Sequence, residues 1–282
     1  MSKLLPSSLV PFVDLLRCPM CCGHLHPAPG ALRCAAGHTF NIARQGYVSL
    51  LSGTRATSAD DAEMARSRER FLSTGGYAPI REAVARLTSG SLPEQGTVVD
   101  VGCGTGYYLV GVLDQQPGAS GLGLDTSVRA LRVAARAHER AAAASWDVFR
   151  PLPLADRMAD AVLNVFAPRN PSEFHRVLRP AGRLIVVRPT SAHLGELRSH
   201  LPAMITIDPT KEQRLHRALG PYFAAVESWK IEYPLTLASQ DVRNLVEMTP
   251  NARHLKPADL TDDDLLPEQV TISVLATVYE PR

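Results

Sequence analysis

A short apolar strand followed at once by three closely spaced glycines narrows what this chain can fold into more than any other feature. Thr97-Val98-Val99-Asp100-Val101 reads as the strand, and Gly102-Cys103-Gly104-Thr105-Gly106 follows it directly. The apolar spacing predicts a helix from Tyr107 to Gln116, with Leu109, Val112 and Leu113 along one side. Strand, glycine turn and helix make the first unit of a doubly wound α/β sheet. Glycines at such a turn let the backbone approach a ligand closely and open the helix N-terminus toward it. A second strand, Gly121-Leu122-Gly123-Leu124, ends in Asp125. A carboxylate about twenty residues past such a loop is placed to hold a ribose diol.

The details of the loop separate it from dehydrogenase fingerprints. Its glycines fall at 102, 104 and 106, with no Gly-x-Gly-x-x-Gly register, and an acid sits in the strand before them. This resembles the first motif of the class I S-adenosylmethionine-dependent methyltransferases, with Asp125 as their second acidic motif. A tight turn in another Rossmann protein is the alternative. The resemblance implies an α/β, class I (Rossmann-like) methyltransferase fold with a mostly parallel seven-stranded sheet. It also implies S-adenosyl-L-methionine as cofactor, with Asp100, Gly102, Gly104 and Gly106 beside the methionine part and Asp125 on the ribose. Later strands are expected at Ala144–Val148, Asp160–Phe166 and Leu184–Val187, the last after a turn at Leu178–Arg183. Phe223–Tyr233 and Val270–Tyr279 are expected to pair as the final two strands. Between them, the amphipathic segment Gln240–Met248 is longer than a hairpin needs and is suspected of function, while the acidic Asp259–Asp264 reads as a solvated helix start. Asn164, Phe166 and Pro168 follow the fourth strand, where base-methylating members of this fold line the target pocket. Phe166 reads equally well as sheet core.

The cysteines point to a second module. Four of the five, Cys18, Cys21, Cys22 and Cys34, lie together, and an odd total without a secretion signal argues against a disulfide framework. Cys18-x2-Cys21 is knuckle spacing, and Cys34-x3-His38 supplies a second pair, completing a closed Cys3His zinc set of the structural type, one Zn2+ per chain. Cys22 is taken as a spectator, although Cys18-x3-Cys22 would also close a turn. Four free thiols in a loop are the bland alternative. The charge is skewed the same way: residues 1–90 carry ten Lys/Arg against six Asp/Glu, whereas residues 250–282 carry three against six. A basic N-terminal third favours an anionic partner, and Arg17, Arg33, Arg44 and Arg55 around the knuckle are candidates to hold it. With 45% hydrophobic residues the composition is that of a globular chain, which excludes wholesale disorder. No apolar stretch approaches the ~20 residues that cross a bilayer. The expectation is a cytoplasmic protein with no membrane partner.

Further strings tie the two halves to one family. Phe40-Asn41-Ile42-Ala43-Arg44-Gln45-Gly46-Tyr47 follows the knuckle, and Asp61-Ala62-Glu63-Met64, Ser67-Arg68, Phe71-Leu72 and Gly75-x-Tyr77-x-Pro79 mark a linker. Phe166-Ala167-Pro168, His193-Leu194-x-Glu196-Leu197 and Met248-Thr249-Pro250 come later. Over essentially the whole chain these resemble the RlmA family of 23S rRNA guanine-N1 methyltransferases, in the branch conferring tylosin (macrolide) resistance in actinomycetes. The family's usual aspartate after the phenylalanine is here Asn41. The resemblance implies a target guanine in hairpin 35 of 23S rRNA, zinc on Cys18, Cys21, Cys34 and His38, and cofactor contacts from Tyr77, Gly106, Tyr107 and His193. It divides the chain into a zinc-binding RNA-recognition module (1–52), a helical linker contributing to the cofactor site (53–90) and a methyltransferase domain (91–282). A homodimer is compatible with the sequence. Two other functions stay open at this point: a small-molecule methyltransferase buttressed by the knuckle, and a non-catalytic zinc-knuckle RNA-binding protein.

Overall fold

Continuous apolar runs form the central strands of a large sheet buried on both faces, the amphipathic segments between them cover it, and a second, smaller sheet precedes it among the described residues. The computed structural model describes residues 5–51, 62–201, 204, 211–255, 260 and 266–282. After a 3-10 helix at Ser7–Phe12, strands β1 (Leu25–Ala28), β2 (Ala31–Cys34) and β3 (Thr39–Asn41) form a small antiparallel sheet in that order. Helices α1 (Ala62–Ser73) and α2 (Ala78–Ser89) lead into β4 (Thr97–Val101), α3 (Tyr107–Gln115), β5 (Ser120–Asp125), α4 (Val128–Ala137) and β6 (Ala141–Ser145). Then come β7 (Ala159–Val165), α5 (Pro171–Val177), β8 (Leu178–Pro189), α6 (Gly195–His200), α7 (Lys211–Leu219), β9 (Phe223–Thr236), α8 (Ser239–Glu247) and β10 (Gln269–Pro281).

The large sheet has the order β6-β5-β4-β7-β8-β10-β9, and only β10 runs against its neighbours. This is the expected seven-stranded, mostly parallel methyltransferase sheet. The chain leaves β4 toward β5 on one side and later returns to β7 on the other, so a crevice opens at the carboxyl end of β4. That end carries the glycine loop.

Two expectations are shifted by the structure. The third strand is Ala141–Ser145 and not Ala144–Val148, because four consecutive alanines are small enough to be buried in close packing beneath α4. Trp146–Val148 instead turns away, with Asp147 Oδ1 accepting the Phe149 N–H at 3.0 Å. The turn expected at Leu178–Arg183 lies within β8: Leu178 pairs with Ala159, Arg183 with Ala161, and the residues between them bulge out. Gln240–Met248 is a helix, α8, packed on α1. The acidic patch Asp259–Asp264, apart from Leu260, lies outside the described residues, as do Asp61 and Arg55.

The small sheet does not stand apart from the large one. Val48 N–H donates to Ala143 O at 2.9 Å and Ser145 N–H to Val48 O at 2.8 Å, extending the sheet beyond β6 by one bridge. Arg17 and Leu15 make similar bonds to Pro153 and Ala155. Phe12, Leu16, Leu25, Leu32 and Phe40 share one buried apolar cluster with Val99, Leu124, Ala144 and Leu154. The zinc module is therefore welded to one face of the catalytic sheet by a common core.

Candidate functional site

Three left-handed glycines shape the crevice. Gly102, Gly104 and Gly106 have φ of +80°, +54° and +81°, a region that other residues enter only with strain. A side chain at Gly102 would place its Cβ 2.4 Å from the Ala167 Cβ, so the glycine loop and the turn after β7 close on each other. At Gly104 the nearest atoms are those of Arg68, at 3.6 and 3.8 Å, so the protein leaves space there. Gly106 is the N-cap of α3 and offers no side chain to satisfy the helix's free N–H groups. Cys103, the cysteine outside the knuckle, is buried against Gly123 and is a packing residue.

Two carboxylates flank the loop and differ sharply. Asp125 is built into it: Oδ2 accepts the Gly104 N–H and Oδ1 the Ser127 N–H, both at 2.8 Å. Asp100 is 1% exposed and neither of its oxygens has a partner among the described residues. Burial, reinforced by the nearby Asp125 charge, pushes its carboxyl up to about 8. A buried carboxyl left unsatisfied is costly unless a ligand completes it. Together the open glycine cradle and the unsatisfied acid fit a ligand carrying a cation and a sugar, as S-adenosyl-L-methionine does.

Beside the loop lies a ring cluster that brings together residues distant in the chain. Tyr77, 3% exposed, takes the N-cap position of α2 but makes no side-chain cap bond; its hydroxyl meets His193 Nε2 at 3.3 Å. His193 Nδ1 accepts the Ser273 N–H at 3.1 Å, so the imidazole proton is on Nε2 and donates to Tyr77. Burial, aided by Arg198, lowers this histidine to about 4 and keeps it neutral at pH 7. Phe166 stacks toward His193 with ring centres 6.3 Å apart and stands 6.0 Å from Tyr77. It is no sheet-core residue: its backbone is left-handed, at φ +54°, and the side chain is 40% exposed. A phenylalanine held in that conformation is strained, which directs attention to function. Asn164, fully buried at the end of β7, donates to Pro168 O at 2.8 Å and to Val101 O at 3.4 Å, while its Oδ1 has no partner among the described residues. Pro168 is exposed beside it.

Two residues join the site without a sequence pattern that gives them a role there, Arg68 and Tyr108. Arg68 reaches from α1 over Gly104 and donates to Met248 O at 2.8 Å. Ser67 donates to Glu247 at 2.7 Å and Arg70 to Asn244 at 2.9 Å, so α1 and α8 together cover the crevice. Tyr108 is buried in α3 with its ring 6.4 Å from Phe166. Tyr107, beside Gly106, is half-buried under the Arg81 guanidinium. The sequence signal for Arg68 is its place beside Ser67 in the linker string, but its target lies 180 residues away.

The knuckle residues converge. Cys21 Sγ and Cys34 Sγ are 3.7 Å apart, and His38 Nδ1 is 3.5 Å from Cys18 Sγ and 3.3 Å from Cys34 Sγ. A tetrahedral zinc with Zn–S of about 2.3 Å and Zn–N of about 2.0 Å separates its sulfurs by about 3.8 Å and sulfur from nitrogen by about 3.5 Å. The donor set therefore matches a closed zinc site, and zinc here is structural. Cys22 is exposed at φ +57° and lies outside the four-residue group. Of the basic candidates, Arg17 is engaged with the Asp14 and Leu16 carbonyls, whereas Arg33 and Arg44 are exposed.

Comparison with known proteins agrees with this geometry. The family model described as "RlmA, N-terminal", a zinc ribbon, matches residues 16–57, and a methyltransferase-domain model matches residues 98–183. The 23S rRNA (guanine(748)-N(1))-methyltransferase of Streptomyces fradiae is 43% identical over 276 residues, covering 95% of this chain and 98% of that protein. A Micromonospora griseorubida protein assigned to the same class, the 23S rRNA guanine-N1 methyltransferases, is 44% identical over 287 residues, covering 94% and 97%. Among solved structures, a chain from the complex between the Haloferax volcanii Trm112 methyltransferase activator and a methyltransferase aligns with a TM-score of 0.52 at 21% identity, covering 79% of this chain and 99% of that one. That likeness concerns the fold alone.

Proposed function

The chain belongs to the family of 23S rRNA (guanine-N1)-methyltransferases, and from that premise we propose that it methylates N1 of a guanine in the hairpin 35 loop of 23S rRNA and so confers resistance to tylosin-type macrolides. The observation that carries the reading is a juxtaposition. A glycine cradle stands with a buried Asp100 unpartnered among the described residues, and against it lies the turn carrying an exposed Phe166 held in left-handed backbone. The first suits the cofactor, and the second offers a face on which an unstacked loop base can rest. In this reading residues 1–52 recognise RNA, 53–90 complete the cofactor site and 91–282 carry the chemistry.

When bound, S-adenosyl-L-methionine supplies the methyl group as a strong electrophile. The protein's own task is to place the guanine, and the N1 proton displaced as the methyl group arrives passes to solvent water. Asp100 would face the methionine ammonium and Asp125 the ribose, with Gly102, Gly104, Gly106 and Tyr107 beside the ligand. Tyr77 is polarised by His193 Nε2–H, which leaves the phenolic proton free to donate into the crevice. His193 itself is unsuited to be the base, since Nδ1 is engaged by Ser273 and the ring is held neutral. Among the described residues Asn164 Oδ1 is an unpartnered acceptor at the end of β7, suited to receive an N–H from the base. Positioning then supplies most of the acceleration.

Labelled cofactor incubated with protein-free 23S rRNA is expected to leave the label on a single guanine in hairpin 35. N1 methylation blocks Watson–Crick pairing, so reverse transcription should stop next to that nucleotide. Label transferred to small molecules and never to RNA would move the chain to a different substrate class.

Cofactor binding is also expected to depend on pH. With Asp100 raised to about 8, the unliganded protein holds its proton at neutral pH. This proton contributes stability below the unfolded carboxyl's range of about 4, and the contribution is lost as pH rises through about 8. A bound ammonium favours the ionised form, so affinity should rise from pH 6 toward about 8, with a proton released on binding at pH 7, and fall again as the ligand's own α-amino group loses its charge at about 8. Calorimetry in buffers of different ionisation enthalpy measures that proton. Neither proton release nor pH-dependent affinity would mean that Asp100 does not meet the cofactor's charge.

A further inference from the structure

Helix α4 carries Arg129, Arg132 and Arg136 and no acid over its whole length, Val128–Ala137. Two of these cations sit in its N-terminal half, where the helix dipole disfavours positive charge. Arg129 reaches Glu69 of α1 at 3.7 Å. Arg132 and Arg136, one turn apart, are exposed and make no hydrogen bond or ion pair among the described residues. The opposite face of the helix is apolar, and Leu131 and Ala134 pack with Tyr47 of the zinc module. The turn before Tyr47 rides on the helix: a side chain on Gly46 would come within 3.6 Å of the Ala135 carbonyl. Arg44, exposed and likewise without a partner among the described residues, belongs to this turn. The turn that carries Arg44 thus lies against the helix that carries Arg132 and Arg136. That helix starts at the cofactor site, because Ser127 caps α4 while its own N–H is held by Asp125.

We infer that Arg44, Arg132 and Arg136 form a phosphate-binding strip that docks the RNA substrate across the joint between the zinc module and the catalytic domain. Guanidinium groups suit this role, since each can grip a phosphate with two parallel N–H donors. The weld between the modules then has a purpose beyond stability, holding the strip at a set distance from the methyl donor. The inference deepens the proposed reading and rests on it.

The test compares the wild type with R44Q/R132Q/R136Q and with R86Q/R183Q/R217Q, which removes three positive charges elsewhere. Methyl transfer to a hairpin-35 fragment and fragment binding by fluorescence anisotropy are measured across a salt series, with cofactor affinity taken by calorimetry. The strip variant should raise KM and Kd for RNA at least tenfold, with kcat at saturating RNA and cofactor affinity unchanged. Its salt slope should flatten by about 2–3, at about 0.7–0.9 for each phosphate that is no longer neutralised. The control should keep the wild-type slope. Equal slopes for strip variant and wild type, or an equal loss in the control, would overturn the strip while leaving the proposed activity in place. A wild type that transfers no methyl group to 23S rRNA would overturn both.

Discussion

Replacing Gly104 with valine is expected to abolish cofactor binding in a protein that still folds. The position has φ +54°, and the atoms nearest to an added Cβ are those of the Arg68 side chain at 3.6 and 3.8 Å, so the protein itself has room for the change. Backbone strain costs about 1–3 kcal/mol, which a domain of ordinary stability survives. A branched side chain would, however, fill the space the ligand needs against the loop. Its strain would also pull on the Gly104 N–H, which Asp125 holds at 2.8 Å. Calorimetry should show at least a hundredfold loss of S-adenosylmethionine affinity, while circular dichroism stays like that of the wild type. Unchanged affinity would mean that the cofactor does not lie against Gly104. The Gly102 site differs, because a Cβ there meets Ala167 at 2.4 Å and would displace the Phe166 turn as well.

Replacing Cys34 with serine is expected to release the zinc and destabilise the whole protein, not merely its first fifty residues. Cys34 is a buried member of the four-residue donor group, and the apolar cluster around it runs into the catalytic sheet through Val48, Leu124 and Ala144. Structural zinc contributes about 10–16 kcal/mol of apparent binding free energy in zinc-finger peptides. Losing even about 4 kcal/mol lowers the melting temperature by roughly 8–16 °C at about 2–4 °C per kcal/mol. Elemental analysis should fall from one zinc per chain to near none, with much of the protein insoluble. Cys22→Ser should change neither quantity, since Cys22 is exposed and outside the donor group. A preparation of Cys34→Ser that keeps its zinc and its melting temperature would assign the fourth ligand elsewhere.

The features of this protein that are legible without a structure share one property: their parts are close in sequence. A strand, a glycine turn and a helix lie within twenty residues, and Cys18 to His38 spans one chelate loop, so spacing alone dictates their geometry. Local spacing fails where burial decides. The alanines of β6 carry no strand signal and form a strand because small side chains pack beneath α4, while Trp146–Val148, which looks more strand-like, turns away. Phe166 suits core and pocket equally by its sequence; its left-handed backbone and 40% exposure take it out of the sheet core, which leaves the pocket as its proposed place.

What the amino-acid order determined by itself is the inventory: a nucleotide cradle, a zinc tetrad, a basic N-terminal third and a resemblance to one enzyme family. What only the tertiary structure decided is which distant residues meet. Arg68 crosses 180 residues to Met248, Tyr77 crosses 116 to His193, and the turn carrying Arg44 settles on a helix that begins at Val128. Such meetings depend on how whole apolar faces are buried against each other, a property of the assembled layers that no local run of residues contains.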